Sequence, residues 1–353
     1  MKAAVWHGYK DVRIEEVPIP VPGPDRLLIR VDYAGICGTD RHEYVGPNFI
    51  PTEKPHRLTG RTAPLIMGHE FSGTVCEVGP EVSMVKIGDR VTAEPKTGSC
   101  GKCPACRQGM LQLCPTRRAP GWGVNGGMTE YIALPESLLH KLPDNVPFDV
   151  GALCEPLAIA IHEVDERAKV ECMDSVVITG SGPIGILCAF VAKSSGASQV
   201  IMSGLSRSEA IRFPVAREVG VDVIVNIEHE NLLERVNELT NGKGADLIIE
   251  ASGSGTAIRD LPLLARTGGR ISCIGLCPKD EAPFRWNTAM RKMLDVHFNF
   301  SSSYTAWDKA LLLMAHSRYD ISKIITHHEK IEDWERVFND QVNERSVKAV
   351  FEF

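Results

Sequence analysis

Four cysteines in a short glycine-rich stretch have the spacing of a metal site. Cys100, Cys103, Cys106 and Cys114 form the pattern C-x2-C-x2-C-x7-C. Thiolates this close together in a turn-rich loop favour tetrahedral Zn2+, although four buried thiols or a Cys-x-x-Cys redox pair would share the spacing. Because four thiolates leave no open position on the ion, we expect this zinc to hold the loop rather than to take part in a reaction.

A second set of potential metal ligands is dispersed over the first half of the chain. Cys37 lies in Gly-Ile-Cys-Gly-Thr-Asp, and His69 and Glu70 lie in Met-Gly-His-Glu-Phe. A catalytic metal needs mixed N, O and S ligands and one free position, which these residue types can supply. Taken singly, however, a cysteine is more often a small buried apolar residue, and a His-Glu pair is more often a surface hydrogen bond.

A glycine-rich turn between a predicted strand and a predicted helix is typical of a dinucleotide site. The strand Val-Val-Ile-Thr leads into Gly180, and Gly182, Pro183, Ile184 and Gly185 open the helix. Three glycines permit a tight turn, close approach of the pyrophosphate and close helix-strand packing, while the helix N-terminus stabilises the phosphate charge. Because the turn lies within a run of βα units, we predict that it binds NAD(P).

The position that selects between the two dinucleotides lacks its usual acid. Gly204, 19 residues after the last glycine of the turn, stands where a carboxylate would hydrogen-bond the ribose 2′-hydroxyl. Glycine leaves room for a 2′-phosphate, and Ser206, Arg207 or Arg212 can bind it through charge-assisted hydrogen bonds. We therefore predict that NADP is preferred, with NAD as the alternative. Pro214 is expected to interrupt the helix that follows.

Two kinds of sequence pattern must position these residues. From residue 1 to about 157, short strands are separated by Gly and Pro turns, which is an all-β pattern with long loops. From Asp174 onward strands alternate with helices, and repeated βα units predict a parallel, doubly wound sheet in an α/β protein. Predicted strands cover residues 27–33, 72–78, 90–93, 128–134, 175–179, 200–203, 223–226, 247–250, 270–274 and 348–351.

Charge and composition exclude several classes of protein. With 39 Lys+Arg against 45 Asp+Glu the formal charge is -6, and no basic stripe suits nucleic acid. A hydrophobic content of 43% excludes a disordered chain. The longest uncharged stretch, residues 175–192, is broken by glycines and a proline, so we predict no membrane span. The N-terminus carries no apolar signal core, so we expect a cytoplasmic protein.

Several motifs taken together resemble a known family. The Cys37 segment, Gly-His-Glu-Phe-Ser-Gly, the cysteine quartet and Leu-Cys-Glu-Pro-Leu at 153–157, followed by the nucleotide turn, resemble the zinc-dependent medium-chain dehydrogenases over essentially the whole chain. The similarity is greatest to the sorbitol (polyol) and 2,3-butanediol dehydrogenases, and the loop 46–64 resembles the butanediol branch. The resemblance implies a GroES-like catalytic domain (1–157), a Rossmann nucleotide-binding domain (158–297) and a segment (298–353) that returns to the catalytic domain.

The resemblance also implies a ligand set and a reaction. Cys37, His69 and either Glu70 or Glu155 would hold a catalytic zinc, which makes two zinc ions per chain with the quartet. Because a Lewis acid lowers the pKa of an alcohol oxygen, we expect reversible oxidation of a secondary alcohol to a ketone, with hydride transfer to NAD(P)+. The expected substrate is a small polyol, sugar or vicinal diol, and Thr39 is expected to accept the proton of its hydroxyl.

Other expectations are less specific. His42 would pass the proton onward, Gly275 resembles the strand that backs the nicotinamide ring, and Tyr44, Phe49 and Trp122 are candidates to line the substrate pocket. The resemblance implies a homo-oligomer, either a tetramer or a dimer. Two alternatives stay open from the sequence: a zinc-independent quinone or enoyl reductase of the same fold, and a non-catalytic protein that binds zinc and nucleotide.

Overall fold

The chain forms two compact units in a computed structural model that describes residues 1–46 and 50–353, so the candidate pocket residue Phe49 lies outside the described residues. The first unit contains residues 1–156, 303–315 and 325–353, and the second contains residues 157–302 and 316–324. In the described ranges, no helix is both long enough and apolar enough to cross a lipid bilayer.

Among the described residues, ten strands belong to the first unit and six to the second. Their inward positions carry Val, Ile, Leu and Ala, which suit a pleated, half-buried surface. The strands are β1 (Lys2–Gly8), β2 (Asp11–Glu16), β3 (Arg26–Gly35), β4 (Leu65–Ile66), β5 (Glu70–Val78), β6 (Arg90–Ala93), β7 (Tyr131–Pro135), β8 (Leu139–Lys141), β9 (Ser175–Thr179), β10 (Gln199–Gly204), β11 (Val223–Asn226), β12 (Ala245–Glu250), β13 (Ala265–Cys273), β14 (Asp295–Phe298), β15 (Ile325–Lys330) and β16 (Lys348–Glu352).

Helices follow the strands of the second unit and connect those of the first. The helices are α1 (Gly38–Val45), α2 (Pro104–Arg107), α3 (Phe148–Gly151), α4 (Cys154–Ile161), α5 (Pro183–Ser194), α6 (Arg212–Glu218), α7 (Leu232–Leu239), α8 (Gly255–Leu264), α9 (Trp286–Arg291), α10 (Tyr304–His316) and α11 (Trp334–Val342).

The first unit is built on a sheet with the order β15-β16-β3-β5-β6-β8, in which β7 also pairs with β3, and on a smaller sheet of β2, β1 and β4. The C-terminal strand β16 runs antiparallel to β3, with Val350 opposite Gly35. Large apolar side chains such as Trp6, Phe71 and Phe351 are fully buried in its core. Distant parts of the sequence therefore share one sheet.

The second unit has a six-stranded sheet in the order β11-β10-β9-β12-β13-β14, and every pair in it is parallel. Helix α5 joins β9 to β10, and the strand order changes direction between β9 and β12. Ligands of such sheets bind outside the carboxyl ends of the strands at this switch point. The doubly wound sheet predicted from the repeated βα units is confirmed.

Three features differ from the sequence-based expectations. Pro214 does not interrupt α6, because it lies in the first turn of Arg212–Glu218, where backbone N–H groups have no partner within the helix. Strand β14 was not among the predicted strands. Helix α4 continues into a π-helical segment, His162–Arg167, that no sequence pattern indicated.

Candidate metal and cofactor sites

The cysteine quartet closes into one compact cluster. One ligand atom from each of Cys100, Cys103, Cys106 and Cys114 lies within 4.8 Å of the others. The backbone N–H of Cys103 donates to Sγ of Cys100 at 3.3 Å, and the N–H of Cys100 donates to Sγ of Cys114 at 3.3 Å. Hydrogen bonds from the N–H groups of Lys102 and Cys103 lower the pKa of the Cys100 thiol, which favours the thiolate that a metal requires. Four thiolates in this arrangement fit Zn2+.

A second cluster brings together residues that are far apart in the sequence. The ligand atoms of Cys37, His69 and Glu70 also lie within 4.8 Å of one another. His69 and Glu70 are buried, and Cys37 is partly buried. Among the described residues, Nδ1 of His69 and Oε1 of Glu70 have no hydrogen-bond partner. Buried polar atoms without partners cost free energy, so a mixed S, N and O set in this state fits a divalent cation such as Zn2+.

Local structure explains how these ligands are held. Cys37 is the N-cap of α1, and its backbone N–H donates to Oδ2 of Asp40 at 2.9 Å. Glu70 begins β5 directly opposite Gly35 of β3. A Cβ atom on residue 35 would lie 2.5 Å from Oε2 of Glu70, so only glycine leaves space for this buried carboxylate. The sheet therefore brings two of the ligands together from neighbouring strand ends.

A buried lysine contacts the same carboxylate. Nζ of Lys348 donates to Oε2 of Glu70 and, at 2.8 Å, to the carbonyl oxygen of Ile36. Both charged side chains are almost completely buried. A buried charge is strongly destabilising when its partner is missing, and Lys348 is the partner of Glu70. Lys348 holds Oε2 of this carboxylate, so Oε1 stays available to the cluster.

The charges around the cluster favour a cation. Burial disfavours the charged form of His69, but Cys37 and Asp40 outweigh it and raise the pKa of the imidazole to about 10. Glu155 is only 3% exposed, and burial together with the charge of Glu70 raises its pKa to about 7. Its Oε2 atom likewise has no hydrogen-bond partner within the part of the chain that the structure describes. Glu70, rather than Glu155, belongs to the compact ligand set.

Two predicted proton-transfer residues lie on α1, next to Cys37. Thr39 is in the first turn, and its Oγ1 atom is buried without a hydrogen-bond partner among the described residues. His42 lies near the end of the helix, and partial burial of its ring together with the charge of Arg41 lowers its pKa. The Thr39 hydroxyl can therefore form a hydrogen bond with a ligand. His42 lies about one helical turn further along α1.

The glycine turn has the geometry of a phosphate-binding loop. Gly180 follows β9 with φ +106°, which only glycine adopts readily, and Gly182 is the N-cap of α5 with Pro183 at its first position. A Cβ atom on Gly185 would lie 2.1 Å from the carbonyl oxygen of Gly180, so the helix packs closely against the turn. Ile184 is the next residue of this helix. The N–H groups of the first turn can receive a phosphate.

A side chain at the end of β10 would require its neighbours to shift. A Cβ atom on Gly204 would lie 2.5 Å from Oγ of Ser181 and 2.5 Å from the Phe213 ring. The next strand supplies an acid instead: the backbone N–H of Ser206 donates to Oε2 of Glu228 at 2.7 Å, and this hydrogen bond lowers the pKa of Glu228. The negative charge near the predicted ribose site thus comes from the end of β11.

The remaining predicted cofactor residues differ in accessibility. Arg207 is exposed, and its charge acts on Glu228. Arg212 is only 6% exposed, so its guanidinium is less available than its sequence position indicated. Gly275 follows β13, and its N–H donates to the carbonyl oxygen of Glu250 at 3.0 Å.

Sequence reasoning missed Lys348, Asp40 and Glu228. Lys348 and Glu70 are separated by 278 residues, and no local pattern links them. Asp40 could have been recognised from the sequence, because it is the third residue of α1, where an acid often caps a helix. Its carboxylate accepts a hydrogen bond from the Cys37 N–H. Glu228 follows a predicted strand, but only the parallel pairing of β10 with β11 brings it to Ser206.

Comparisons with known proteins identify the family of this chain. Residues 23–144 match the family model "Alcohol dehydrogenase GroES-like domain", and residues 183–316 match "Zinc-binding dehydrogenase". D-arabitol-phosphate dehydrogenase of Enterococcus avium is 34% identical over 98% of this chain and 95% of that protein.

Two solved structures extend the comparison. The structure of 2R,3R-butanediol dehydrogenase from Bacillus subtilis has a TM-score of 0.91 and 34% identity, and the match covers 100% of this chain and 99% of that one. A zinc-binding dehydrogenase from Sinorhizobium meliloti bound to NADP has a TM-score of 0.89 and 30% identity, with coverage of 100% and 99%. The predicted combination of a GroES-like domain with a Rossmann-type domain is thereby confirmed, and the chain belongs to the zinc-dependent medium-chain alcohol dehydrogenase family.

Proposed function

We propose that this dehydrogenase reversibly oxidises a secondary alcohol of a small polyol, sugar or vicinal diol to a ketone and transfers the hydride to NAD(P)+. The observation that carries the proposal is the cluster of Cys37, His69 and Glu70, which combines mixed ligands with buried, unpartnered atoms among the described residues. A zinc-independent reductase would not need this donor set. The arabitol phosphate and the butanediol for which the two relatives above are named support the substrate class.

The residues of the chain have distinct tasks in this reaction. Cys37, His69 and Glu70 hold the ion, Glu155 supplies a further carboxylate beside it, and a second zinc belongs to the quartet. Zinc, when bound, acts as a Lewis acid toward an alcohol oxygen. Thr39 Oγ1 accepts the hydrogen bond of the substrate hydroxyl, because this buried oxygen has no other partner among the described residues. His42 then transfers the proton toward solvent.

Steady-state assays of the metal-loaded protein test this function. We expect reduction of a nicotinamide cofactor with polyols and vicinal diols, and two zinc ions per chain by elemental analysis. Primary alcohols of the same size serve as the control substrates. Absence of turnover with every secondary alcohol, in protein shown to contain two zinc ions and to bind the dinucleotide, would support the non-catalytic alternative.

We further infer that NADP is the preferred cofactor. Gly204 supplies no carboxylate that would repel a 2′-phosphate, and Arg207 lies exposed beside the end of β10. Glu228 opposes this preference. Its carboxylate accepts a hydrogen bond from the Ser206 N–H, and a negative charge at this place would repel a 2′-phosphate. Single substitutions of Arg207 and of Glu228 therefore measure how each charge affects the choice between NAD and NADP.

Calorimetric binding of 2′,5′-ADP and 5′-AMP separates these contributions without measuring turnover. Arg207→Ala is expected to weaken 2′,5′-ADP binding roughly 10-fold, the value of one charge-assisted hydrogen bond, and to leave 5′-AMP unchanged. Glu228→Gln should strengthen 2′,5′-ADP binding. Arg217→Ala, which changes an exposed arginine of α6, is the control. A preference for NAD+ that Arg207→Ala does not alter would refute the inference.

We also propose that the protein forms a homo-oligomer and that it is cytoplasmic. The sheet of the second unit ends in β14, next to exposed apolar side chains of Trp286, Met290, Met293 and Phe298. Apolar groups of this size beside a sheet edge favour association with a second copy. Sedimentation velocity is expected to show a multiple of the 38.7 kDa chain, and a purely monomeric species would contradict this. None of the eleven cysteines, all of which lie in the described residues, forms a disulfide, as suits a reducing compartment.

A further inference from the structure

A buried acid of the second unit lies outside both metal clusters and the glycine turn. Glu163 is fully buried, and neither of its carboxylate oxygens has a hydrogen-bond partner among the described residues. A buried carboxylate without a partner costs free energy, so this position requires a compensating interaction. Glu163 belongs to the π-helical segment His162–Arg167, and π-helical turns inside helices are frequent at functional sites.

Two further side chains carry polar atoms that are buried without a partner in the described ranges. They are Oγ of Ser272, on β13, and both amide atoms of Asn299, directly after β14. Ser272 is the register partner of His297 on β14. Asn299 follows His297 by two residues, and its backbone N–H continues the ladder by donating to the carbonyl oxygen of Cys273 at 3.0 Å. Because alternate residues of an extended chain share a face, Ser272 and Asn299 lie on one face of the sheet.

The π-helical segment packs against the same part of the sheet. It contacts β13, and Nη2 of Arg167 donates to the carbonyl oxygen of Phe298 at 3.3 Å. Arg167 follows Glu163 by four residues, so the two side chains lie on the same side of the helix. The segment therefore meets the sheet beside Asn299, the residue after Phe298.

The surroundings of Glu163 favour its neutral form. Burial raises the pKa of Glu163 to about 7, and the polar groups of Ser272 and Asn299 and the charge of Arg167 offset this only in part. Glu250 at the end of β12 is also fully buried, and its negative charge raises the pKa of Glu163 further. An ionised Glu163 is thus both desolvated and repelled.

The remaining titratable groups on the elements around Glu163 include two thiols and one imidazole from α5, β13 and β14. Burial raises the pKa of both thiols, which therefore stay neutral. An imidazole can titrate near neutral pH, so His297 requires its own control. These groups are Cys188, Cys273 and His297, together with Asp165 and the pair of His162 and Glu166 on the π-helical segment itself.

A neutral carboxyl group is complementary to the amide of Asn299. Its O–H group can donate to Oδ1 while its carbonyl oxygen accepts from Nδ2, so a protonated Glu163 satisfies both amide atoms at once. An ionised Glu163 has no donor, and it can satisfy only Nδ2. The protonation state of Glu163 therefore decides whether Asn299 is held by two hydrogen bonds or by one.

Asn299 lies at the edge of the sheet where ligands bind. Phe298 and Phe300 flank it in the sequence and are 74% and 54% exposed, so apolar side chains stand in the open on both sides of the buried amide. Gly275, the predicted residue of the nicotinamide side, follows the carboxyl end of the neighbouring strand β13. Dinucleotides of doubly wound sheets bind outside these carboxyl ends. The Asn299 amide thus anchors a segment on the predicted nicotinamide side of the site.

We propose that Glu163 is a positioning residue for the dinucleotide: its protonated side chain, paired with Asn299, holds residues 298–300 in the arrangement that binds the nicotinamide half, and its ionisation releases them. The proposal rests on the dehydrogenase function proposed above and adds a dependence of cofactor affinity on pH. Because the folded protein holds this proton more tightly than the unfolded chain, the resulting stabilisation is complete below the pKa of an unfolded glutamate. It is lost as the pH rises through the higher value of the folded state.

Fluorescence titration with NADPH tests the proposal in the zinc-loaded enzyme. Glu163→Gln keeps the shape and the donor of the neutral acid but cannot ionise. We expect the ratio of the unmodified Kd to the Glu163→Gln Kd to rise roughly 10-fold from about pH 6 to about pH 8, because only the protonated fraction is competent to bind. A constant ratio would overturn the proposal. Calorimetry with 2′,5′-ADP, which lacks the nicotinamide half, should show no rise, and an equal rise would overturn the positioning role.

Two variants control for other titrating groups. Glu171→Gln changes an exposed acid of the same unit, and His297→Gln removes the imidazole opposite Ser272. The Kd of each variant relative to that of the unmodified enzyme should not change with pH. A pH dependence that disappears in His297→Gln would assign the effect to the imidazole and contradict the role of Glu163.

Two measurements give an independent decision. Calorimetry of the unmodified enzyme in buffers of different ionisation enthalpy should show uptake of about one proton with NADPH at about pH 8 and none with 2′,5′-ADP. Equal uptake with both ligands, or none with either, would refute the coupling. If no dinucleotide binds, the proposed function fails. The ligand-free Tm of Glu163→Gln relative to the unmodified protein should then still rise with pH, and a constant difference would show that Glu163 takes up no proton on folding.

Discussion

Replacement of Cys37 by serine is expected to remove the metal from the three-residue cluster and with it the turnover of every alcohol. A serine hydroxyl is not ionised near neutral pH, whereas the cysteine thiolate supplies the negative ligand that the site requires. The loss of kcat should exceed the roughly 10–100-fold that removal of an outer partner of a metal ligand costs. Elemental analysis should fall from two zinc ions per chain to one.

The same variant should leave the nucleotide site unchanged. Dinucleotide affinity, measured by calorimetry, is expected to equal that of the unmodified protein because the glycine turn after β9 belongs to the second unit. Cys76→Ser is the matched control: Cys76 lies on β5 outside both cysteine clusters, and its Sγ atom contacts the carbonyl oxygen of Leu28 at 3.3 Å. Full activity of Cys37→Ser with one zinc per chain would refute the assignment of the cluster.

Lys348→Met is expected to destabilise the first unit more than any change of a surface charge. In the metal-free protein, the substitution leaves the Glu70 carboxylate buried without its cation, and breaking a buried ion pair in this way costs about 3–5 kcal/mol. For a domain of roughly 150–250 residues, this loss corresponds to a fall in Tm of about 6–20 °C. Thermal unfolding followed by circular dichroism measures it.

A matched lysine on the adjoining strand provides the control. Lys330 forms an ion pair with Glu352 at 2.7 Å, but both side chains are about half exposed, so Lys330→Met should cost about 1 kcal/mol or less. The double variant Lys348→Met/Glu70→Gln should recover part of the lost stability, because it no longer buries an unpaired charge. Equal Tm values for Lys348→Met and Lys330→Met would show that the buried pair does not stabilise the sheet.

Those parts of the fold that depend on local periodicity could be predicted from the sequence. Strands β9 and β11 have the predicted bounds, and α5 begins within the predicted turn because Pro183 marks its N-terminus. The cysteine quartet could also be recognised, since all four residues lie within one loop. Short spacing makes such a site visible without any knowledge of the tertiary structure.

The sequence could not show contacts that depend on strand pairing. The sequence motif made Glu70 a candidate ligand but could not distinguish it from Glu155. The strand register, which sets Glu70 opposite Gly35, brings Glu70 into the compact ligand set. Lys348 reaches the cluster only because β16 pairs with β3, at the other end of the chain.

The pairing of β16 with β3 has a consequence for biosynthesis. As the ribosome elongates the chain from its N-terminus, Cys37, His69 and Glu70 emerge long before Lys348, while most of the second unit is a continuous stretch that can fold earlier. Until translation is nearly complete, the nascent first unit therefore lacks both β16 and the lysine that pairs with Glu70. Chaperones that shield unfinished sheets should thus associate with this unit during synthesis, and capture of zinc at Cys37 should be a late event in maturation.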